Sequence, residues 1–412
     1  MNTLFLLSFP LVTRGLSMAS LPGHNAPART STTPAGSGSS VVSRPRPPPR
    51  QNMVSDRTAL GTLDISSLGI GTISWNKADS PELTEVVKEA MARGLNFYDT
   101  AERYGSSGLE VAFGLGWGQC ERECGKYIRE ASEHIGGEVS GVVATKFTPS
   151  PWRQTASSVV EACAMSRERL AVDAIDLYQI HMPDIVQPLK GFGLDNPSDE
   201  AFWDGLAECY LQGLVKNVGV SNYGPTLVAR AQEALAKRGV PLASNQINYS
   251  LLYRRSGAQA TVDACQDLGV RTLAYFPLAM GLLTGKYGGG GRIDNKRSAL
   301  ESRDLMSYGE SMMPLLAAMK QVAAKHGEKT VAQVALNWVM SKGAIPVAGA
   351  RTVRHVEDNV GALGWRLGDE DLALLEAVAD SLGDGDLEFE GAGFKRSSEK
   401  FVGYGVEKWR LE

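Results

Sequence analysis

Short apolar stretches and helix-patterned stretches alternate along most of this chain, and the number of repeats limits what it can fold into. Apolar stretches at Leu68 to Thr72, Asn96 to Asp99, Val142 to Lys146, Ile175 to His181, Val215 to Val220, Ser244 to Tyr249, Arg271 to Phe276 and Ile345 to Val347 read as strands. Between them the pattern predicts helices at Pro81 to Arg93 (with Ser80 as N-cap), Arg122 to His134, Ser157 to Leu170, Asp199 to Gln212, Pro225 to Arg238 and Ala258 to Leu268. Two more, Met313 to His326 and Thr330 to Lys342, follow the Gly-rich stretch Gly288 to Gly291, and a further strand at Thr62 to Ile65 precedes the series. Strands alternating with helices require right-handed crossovers and a parallel sheet. Eight such units in roughly 300 residues fit a closed (β/α)8 barrel, the α/β TIM fold, better than an open doubly wound sheet. No G-x-G-x-x-G joins a strand to a helix, and the Gly-rich GLGWG at Gly114 to Gly118 follows no strand, so a dinucleotide-binding Rossmann turn is missing.

A barrel places its chemistry on the loops at the C-terminal ends of the strands. In LNFYDTAERYG, from Leu95 to Gly105, an apolar strand ends abruptly at Asp99, and Tyr104 follows five residues later. A phenol works as a general acid or base near neutrality only if its pKa of about 10 is lowered, which a nearby cation does. Lys146 closes VVATK on the next strand, and His181 closes IDLYQIH on the one after. Ser221 and Asn222 end VKNVGVSNY, Gln246 to Asn248 close the sixth strand, and Tyr275 the seventh. Taken singly, each such residue is more often rim or surface than catalytic. Their placement at successive strand ends is the informative feature. A structural Asp99–Lys146 ion pair, or a Lys146 that forms Schiff bases as in an aldolase, are the competing readings.

These segments carry a resemblance. LNFYDTAERYG, VVATKF, IDLYQIHMPD, GLVKNVGVSNYG, PLASNQINYSLLYR, LAYFPLAMGLLTGKY and IPVAGARTVRHVEDNVGAL resemble, in order, the successive motifs of the aldo-keto reductases, from about Leu63 to Ser381. ASNQINYSLLYR with AMGLLTGKY is most similar to plant and algal plastid members, including the pyridoxal-reductase-like group, and to potassium-channel β-subunit relatives. The resemblance implies a barrel without a Rossmann domain, NADPH extended across the C-terminal face, no metal, and a tetrad of Asp99, Tyr104, Lys146 and His181. In it Tyr104 donates a proton to the carbonyl oxygen that hydride transfer leaves negative. Lys146 lowers the phenol's pKa, Asp99 orients the lysine, and His181 positions the oxygen and shares in proton delivery at acidic pH. The reaction expected is reduction of an aldehyde or ketone to an alcohol. A cofactor-binding regulatory or redox-sensing subunit serving a protein partner is the alternative.

The resemblance also assigns the cofactor. Ser221, Asn222 and Gln246 are expected against the nicotinamide amide and Tyr275 stacked on the ring. Pro277, Leu278, Gly281, Leu283 and Gly285 would form the loop beside the pyrophosphate, with Lys286 as a phosphate partner. Gly349, Arg351, His355, Asp358 and Asn359 would hold the adenosine end, where a strand opens into a helix expected from Arg354 to Leu363. Arg351, Thr352 and Arg354 are the candidates for the 2′-phosphate, which favours NADPH over NADH. Trp75 and Met182 are the expected substrate-binding residues, with Trp117, Trp152 and Met182 to Pro197 as further walls. Core packing is an equal reading for each aromatic. Met182 stands where the family often has Trp, and His355 where Gln or Arg is common. The long interval between Tyr104 and Lys146, GSSGLEVAFGLGWGQCERECG, reads as an inserted rim loop.

The first 55 residues carry five arginines and no acid until Asp56, with many Ser, Thr and Pro, the composition of an organelle transit peptide, and the resemblance makes the plastid its expected destination. The apolar run Leu4 to Val12 is a weaker candidate for a secretory segment or half of a bipartite signal. Without this leader the chain holds 37 basic and 46 acidic side chains, a net charge of −9, which argues against nucleic-acid binding. No apolar run approaches the ~18 residues of a membrane span. Five cysteines, an odd number without a second pair at ligand spacing, fit ordinary thiols rather than zinc or disulfides. The organisation expected is a leader at 1–55, a barrel at 56–383, and a tail at 384–412 that packs on or over the mouth.

Overall fold

A computed structural model describes residues 56–75, 80–105, 116–135, 140–150, 152–184, 199–255, 257–287 and 312–382. The expected leader, the expected tail at 384–412 and the Gly288 to Gly291 stretch lie outside these residues, as does most of the segment after Met182 expected as a pocket wall.

The strands are β1 (Arg57–Leu60), β2 (Leu63–Ser66), β3 (Gly69–Gly71), β4 (Phe97–Asp99), β5 (Val142–Phe147), β6 (Leu177–Ile180), β7 (Val218–Ser221), β8 (Leu242–Asn248), β9 (Arg271–Tyr275) and β10 (Ile345–Gly349). From β3 to β10 they form a closed barrel in chain order, with β10 pairing back to β3, and every neighbour is parallel. The (β/α)8 expectation holds. Helices α1 (Ser80–Ala92), α2 (Gln119–His134), α3 (Ala156–Leu170), α4 (Asp199–Leu211), α5 (Pro225–Ala236) and α6 (Ala258–Asp267) follow successive strands. A 3-10 turn (Ala279–Thr284) leads on to α7 (Met313–Lys325), α8 (Val331–Ser341), α9 (Val353–Val360) and α10 (Asp369–Asp380). Local chemistry sets several starts: Thr155 caps α3 by accepting from Ser158 N, and Thr330 forms a capping box with Gln333 on α8.

Three segments differ from expectation. Gln119 to Gly125, read as rim loop, makes the first turns of α2, because Cys120, Cys124 and Tyr127 bury one face against the barrel. Helix α10 has an acidic first turn and packs Leu375 inward, a pattern not anticipated beyond the last strand. The early strand Thr62 to Ile65 has an unforeseen partner. β1 and β2 form an antiparallel hairpin, Arg57↔Ser66 to Leu60↔Leu63, around a tight turn at Gly61. It plugs the N-terminal end of the barrel: Leu60 and Ile65 are fully buried among Phe97, Val142, Ala144, Leu177, Leu273, Ile345 and Val347. Thr62 N donates to Asn217 Oδ1 at 2.9 Å, tying the turn to the barrel floor.

Candidate active site

Strand alternation places the site. Along β5, Val142 and Ala144 join the apolar plug while Val143 and Phe147 pack outward under the helices, so the inward sequence is Val142, Ala144, Lys146. Along β4 it is Phe97 then Asp99, and along β6 it is Leu177, then Gln179, then the buried His181 at the strand end. The barrel therefore holds an apolar layer below and a polar layer above. Gly219 on β7 keeps that upper layer open, because a Cβ there would collide with Ser244 Oγ.

Lys146 is fully buried, and its Nζ donates to Asp99 Oδ2 at 2.6 Å and to the Thr100 carbonyl at 2.8 Å. The same nitrogen lies 3.4 Å from the Tyr104 hydroxyl. Asp99 Oδ1 accepts from Gln246 Nε2 at 2.9 Å and from Gln179 Nε2 at 3.5 Å. The His181 ring meets Tyr104 edge-on, 5.8 Å between centroids, and its Nδ1 lies 3.3 Å from Thr148 Oγ1. The four side chains that the resemblance joined thus stand together at the open end, with Tyr104 half-buried at the rim.

Electrostatics correct two expectations. Burial raises the Tyr104 phenol well above 10, assisted by the charges of Asp99 and Cys120 and opposed by Arg103. Lys146 does not bring it toward neutrality; the phenol keeps its proton. Burial pushes His181 well below 6.5, and the charges of Lys146 and Arg103 push it further, so the imidazole is neutral and does not serve as an acid at mildly acidic pH. Burial also lowers Lys146, against the Asp99 carboxylate that holds its proton on.

A second layer of ion pairs braces this group, and the sequence reading missed it. Glu102, two residues before Tyr104 and 1% exposed, accepts from Thr148 N at 2.6 Å and from Arg153 at 2.7 and 3.1 Å. Buried Glu121 accepts from Thr145 at 2.7 Å and from Arg169 at 2.5 Å. Both acids sit in plain view in the sequence. Their signal was a charged residue in an otherwise buried motif, detectable only once burial is known.

The expected cofactor residues fall into two groups. Several are spent on one another. Tyr275 donates to Asn222 Oδ1 at 2.9 Å, Asn222 Nδ2 donates to the His181 carbonyl at 2.9 Å, and Ser221 Oγ donates to the Gln246 carbonyl at 2.8 Å. Gln246 uses its amide nitrogen on Asp99. In the turn after β9 the N–H groups of Gly281, Leu283 and Gly285 bond to Leu278 and Leu282 carbonyls, and the Leu283 side chain is fully buried. These three offer no donor to a pyrophosphate. Asp358 accepts from Thr330 and Gln333, joining α9 to α8. The other group borders the start of α9. Lys286 is exposed and acts electrostatically on His355, as does Arg351. Gly349 faces open space, half-buried Leu278 and buried Pro277 border the turn, and Arg354 is exposed. Helix α9 starts one residue before Arg354 and stops at Val360, with Thr352 capping it by accepting from His355 N at 3.3 Å. Asn359 Nδ2 is buried without a hydrogen-bond partner.

The proposed pocket walls change most. Trp75 is 1% exposed, donates its indole N–H to the Ala350 carbonyl at 2.8 Å and packs edge-on against Tyr127, so it is core. Met182 is 6% exposed. Trp117 is half-buried under the Arg153 guanidinium, 5.3 Å from its ring, whereas Trp152 is 55% exposed. No group of three or more potential metal ligands occurs among the described residues.

Comparison with known proteins agrees with this architecture. The family model described as "Aldo/keto reductase family" matches residues 67–380. The chloroplastic pyridoxal reductase of Arabidopsis thaliana is 38% identical over 335 residues, covering 79% of this chain and 86% of that protein. The protein Tas of Escherichia coli is 31% identical over 336 residues, covering 77% and 95%. A glycerol dehydrogenase from Gluconobacter oxydans superposes with a TM-score of 0.63 at 24% identity, covering 79% of this chain and 95% of that one. An aldo-keto reductase from Klebsiella pneumoniae, solved in complex with NADPH, gives 0.57 at 23%, covering 79% and 96%. With an eight-stranded closed barrel and a family match across most of its length, this chain belongs to the aldo/keto reductase family.

Proposed function

We propose that this chain reduces aldehydes or ketones to alcohols with NADPH, with Tyr104 as proton donor. The observation that carries the reading is a phenol held 3.4 Å from a fully buried lysine nitrogen and edge-on to an imidazole, at the open end of a barrel; burial favours the protonated phenol and the neutral imidazole. NADPH fits the residues present. Asn359 offers a buried, unspent amide N–H, Gly349 leaves space above the last strand, and Lys286, Arg351 and Arg354 supply positive charge near the start of α9. Asn359 and Gly349 would hold the adenosine end and the basic side chains the 2′-phosphate, with Asn222, Ser221 and Tyr275 at the nicotinamide end. When bound, NADPH supplies the hydride.

The chain's own residues do the rest. With the Thr148 hydroxyl donating to Nδ1, His181 carries its proton on Nε2 and presents it to the carbonyl oxygen. Tyr104 keeps its proton until that oxygen becomes strongly basic, then releases it. Lys146 stabilises the resulting phenolate, and Asp99, anchored by Gln246, keeps Lys146 in place and charged. The raised pKa keeps the Tyr104 proton in place near neutrality, so the resting side chain is in the form that reduction needs.

The test is NADPH consumption by the purified chain against a panel of aldehydes, ketones, quinones and pyridoxal; pyridoxal enters because a relative is named for it. Consumption with several carbonyls supports the reading. NADPH binding without consumption by any of them would favour the regulatory-subunit alternative. We also propose plastid targeting by residues 1–55, on their composition and the chloroplastic relative. A fluorescent fusion that stays in the cytosol would refute it.

A further inference from the structure

Among the described residues packed around Tyr104, three cations are paired with acids and a fourth, Arg103, is not. Lys146 is on Asp99, Arg153 on Glu102 and Arg169 on Glu121. Arg103 has no hydrogen bond or ion pair among the described residues, and its side chain is exposed. It stands beside Tyr104 at the tip of a turn pinned from both sides: Tyr104 N donates to the Ala101 carbonyl at 3.0 Å, and Gly118 N donates to the Glu102 carbonyl at 2.5 Å. The nearby carboxylates are already occupied. Asp99 takes Lys146 and Gln246, and Glu102 takes Thr148 N and both Arg153 nitrogens, so each of these charges is already matched by another cation.

The Arg103 charge acts on the Tyr104 phenol and on the His181 imidazole, which come from different strand ends. The Tyr104 and His181 rings meet edge-on, 5.8 Å between centroids, so a guanidinium that acts on both stands near the place where a carbonyl would meet them. Partial loss of water lowers the Arg103 pKa, and that cost is recovered when an anion arrives.

We propose that Arg103 is a substrate-recognition residue that binds an anionic group, a carboxylate or a phosphate, carried by the carbonyl compound. This inference rests on the reductase reading and narrows it to negatively charged aldehydes or ketones. A guanidinium forks onto either anion with two parallel N–H···O bonds, which also fixes the approach of the rest of the molecule.

The test compares benzaldehydes bearing a para methyl, carboxylate or phosphate group, in wild type, Arg103→Gln and Arg103→Lys, at saturating NADPH. Intrinsic reactivity cancels when the anion-to-methyl ratio of kcat/KM is compared between variants. The ratio should fall about ten- to a hundredfold in Arg103→Gln, through KM, and largely survive in Arg103→Lys. Whichever anion shows the larger fall identifies the preferred group. A ratio unchanged within about twofold, an equal loss for all three aldehydes, or a weaker NADPH affinity with the ratio preserved would each overturn the proposal. Calorimetric binding of benzoate and phenyl phosphate to NADPH-loaded protein separates the two levels. If no aldehyde is reduced, the reductase reading fails, yet at least tenfold weaker anion binding in Arg103→Gln still supports the Arg103 site. Equal binding by wild type and variant sinks it.

Discussion

The two ends of this barrel are built from the same strands and do opposite things. At the N-terminal end, the inward positions of β4, β5 and β6 are Phe97, Val142, Ala144 and Leu177, covered by Leu60 and Ile65 of the hairpin. Two residues further along the same strands, the inward positions are Asp99, Lys146 and Gln179. Backbone geometry is shared, so the difference lies in side-chain chemistry alone. The closed end gains stability from apolar burial. The open end places a charged pair in a buried site, which contributes little net stability because desolvation offsets the attraction.

That contrast is most severely tested by breaking the pair. Lys146→Met should abolish turnover and also destabilise the fold by about 3–5 kcal/mol, because Asp99 is left buried and unpaired. Adding Asp99→Asn should return most of the stability, measured by denaturant unfolding, while turnover stays absent. If the double variant is no more stable than Lys146→Met, the pair is not the cause.

The closed end should respond the other way. Leu60→Ala should cost about 2–5 kcal/mol with kcat per folded molecule unchanged, since the hairpin lies at the opposite end from Tyr104. A fall in kcat would mean that the ends are coupled.

The adenosine side of the open end carries the next smaller effect. Asn359→Ala gives up no hydrogen bond from Nδ2, so stability should change by under about 1 kcal/mol while NADPH affinity drops about tenfold. An equal loss of stability and affinity would make Asn359 structural.

The smallest effect is in pH dependence. His181 is neutral above its lowered pKa and Tyr104 protonated below its raised one, so kcat for reduction should vary by no more than about twofold between pH 6.5 and 8. A steep profile inside that window would place an unrecognised titrating group at the mouth.

Much of this contrast is legible in the sequence. Strand ends turning polar at Asp99, Lys146 and His181 reveal the open end, because alternation and hydrophobicity are local properties. What depends on distant partners is not legible. Trp75 reads as a pocket wall until its indole is found on Ala350, 275 residues away. Gln246 reads as a cofactor ligand until Asp99 takes its amide. The β1–β2 hairpin escapes because a four-residue strand such as Arg57–Leu60 has too short a pattern to announce its partner. The direction of the Tyr104 shift escapes for a related reason: a nearby lysine is visible in the motif order, whereas the loss of water that outweighs it is a property of the assembled barrel.

The central claim is that Tyr104, held protonated by burial, gives the proton. It is tested most directly by Tyr104→Phe, with single-turnover reduction of an aldehyde by NADPH-loaded protein and NADPH affinity read from tryptophan fluorescence. The account predicts a rate lower by about 10² to 10⁴ with cofactor affinity retained within about twofold. An unchanged rate at full cofactor occupancy would contradict it.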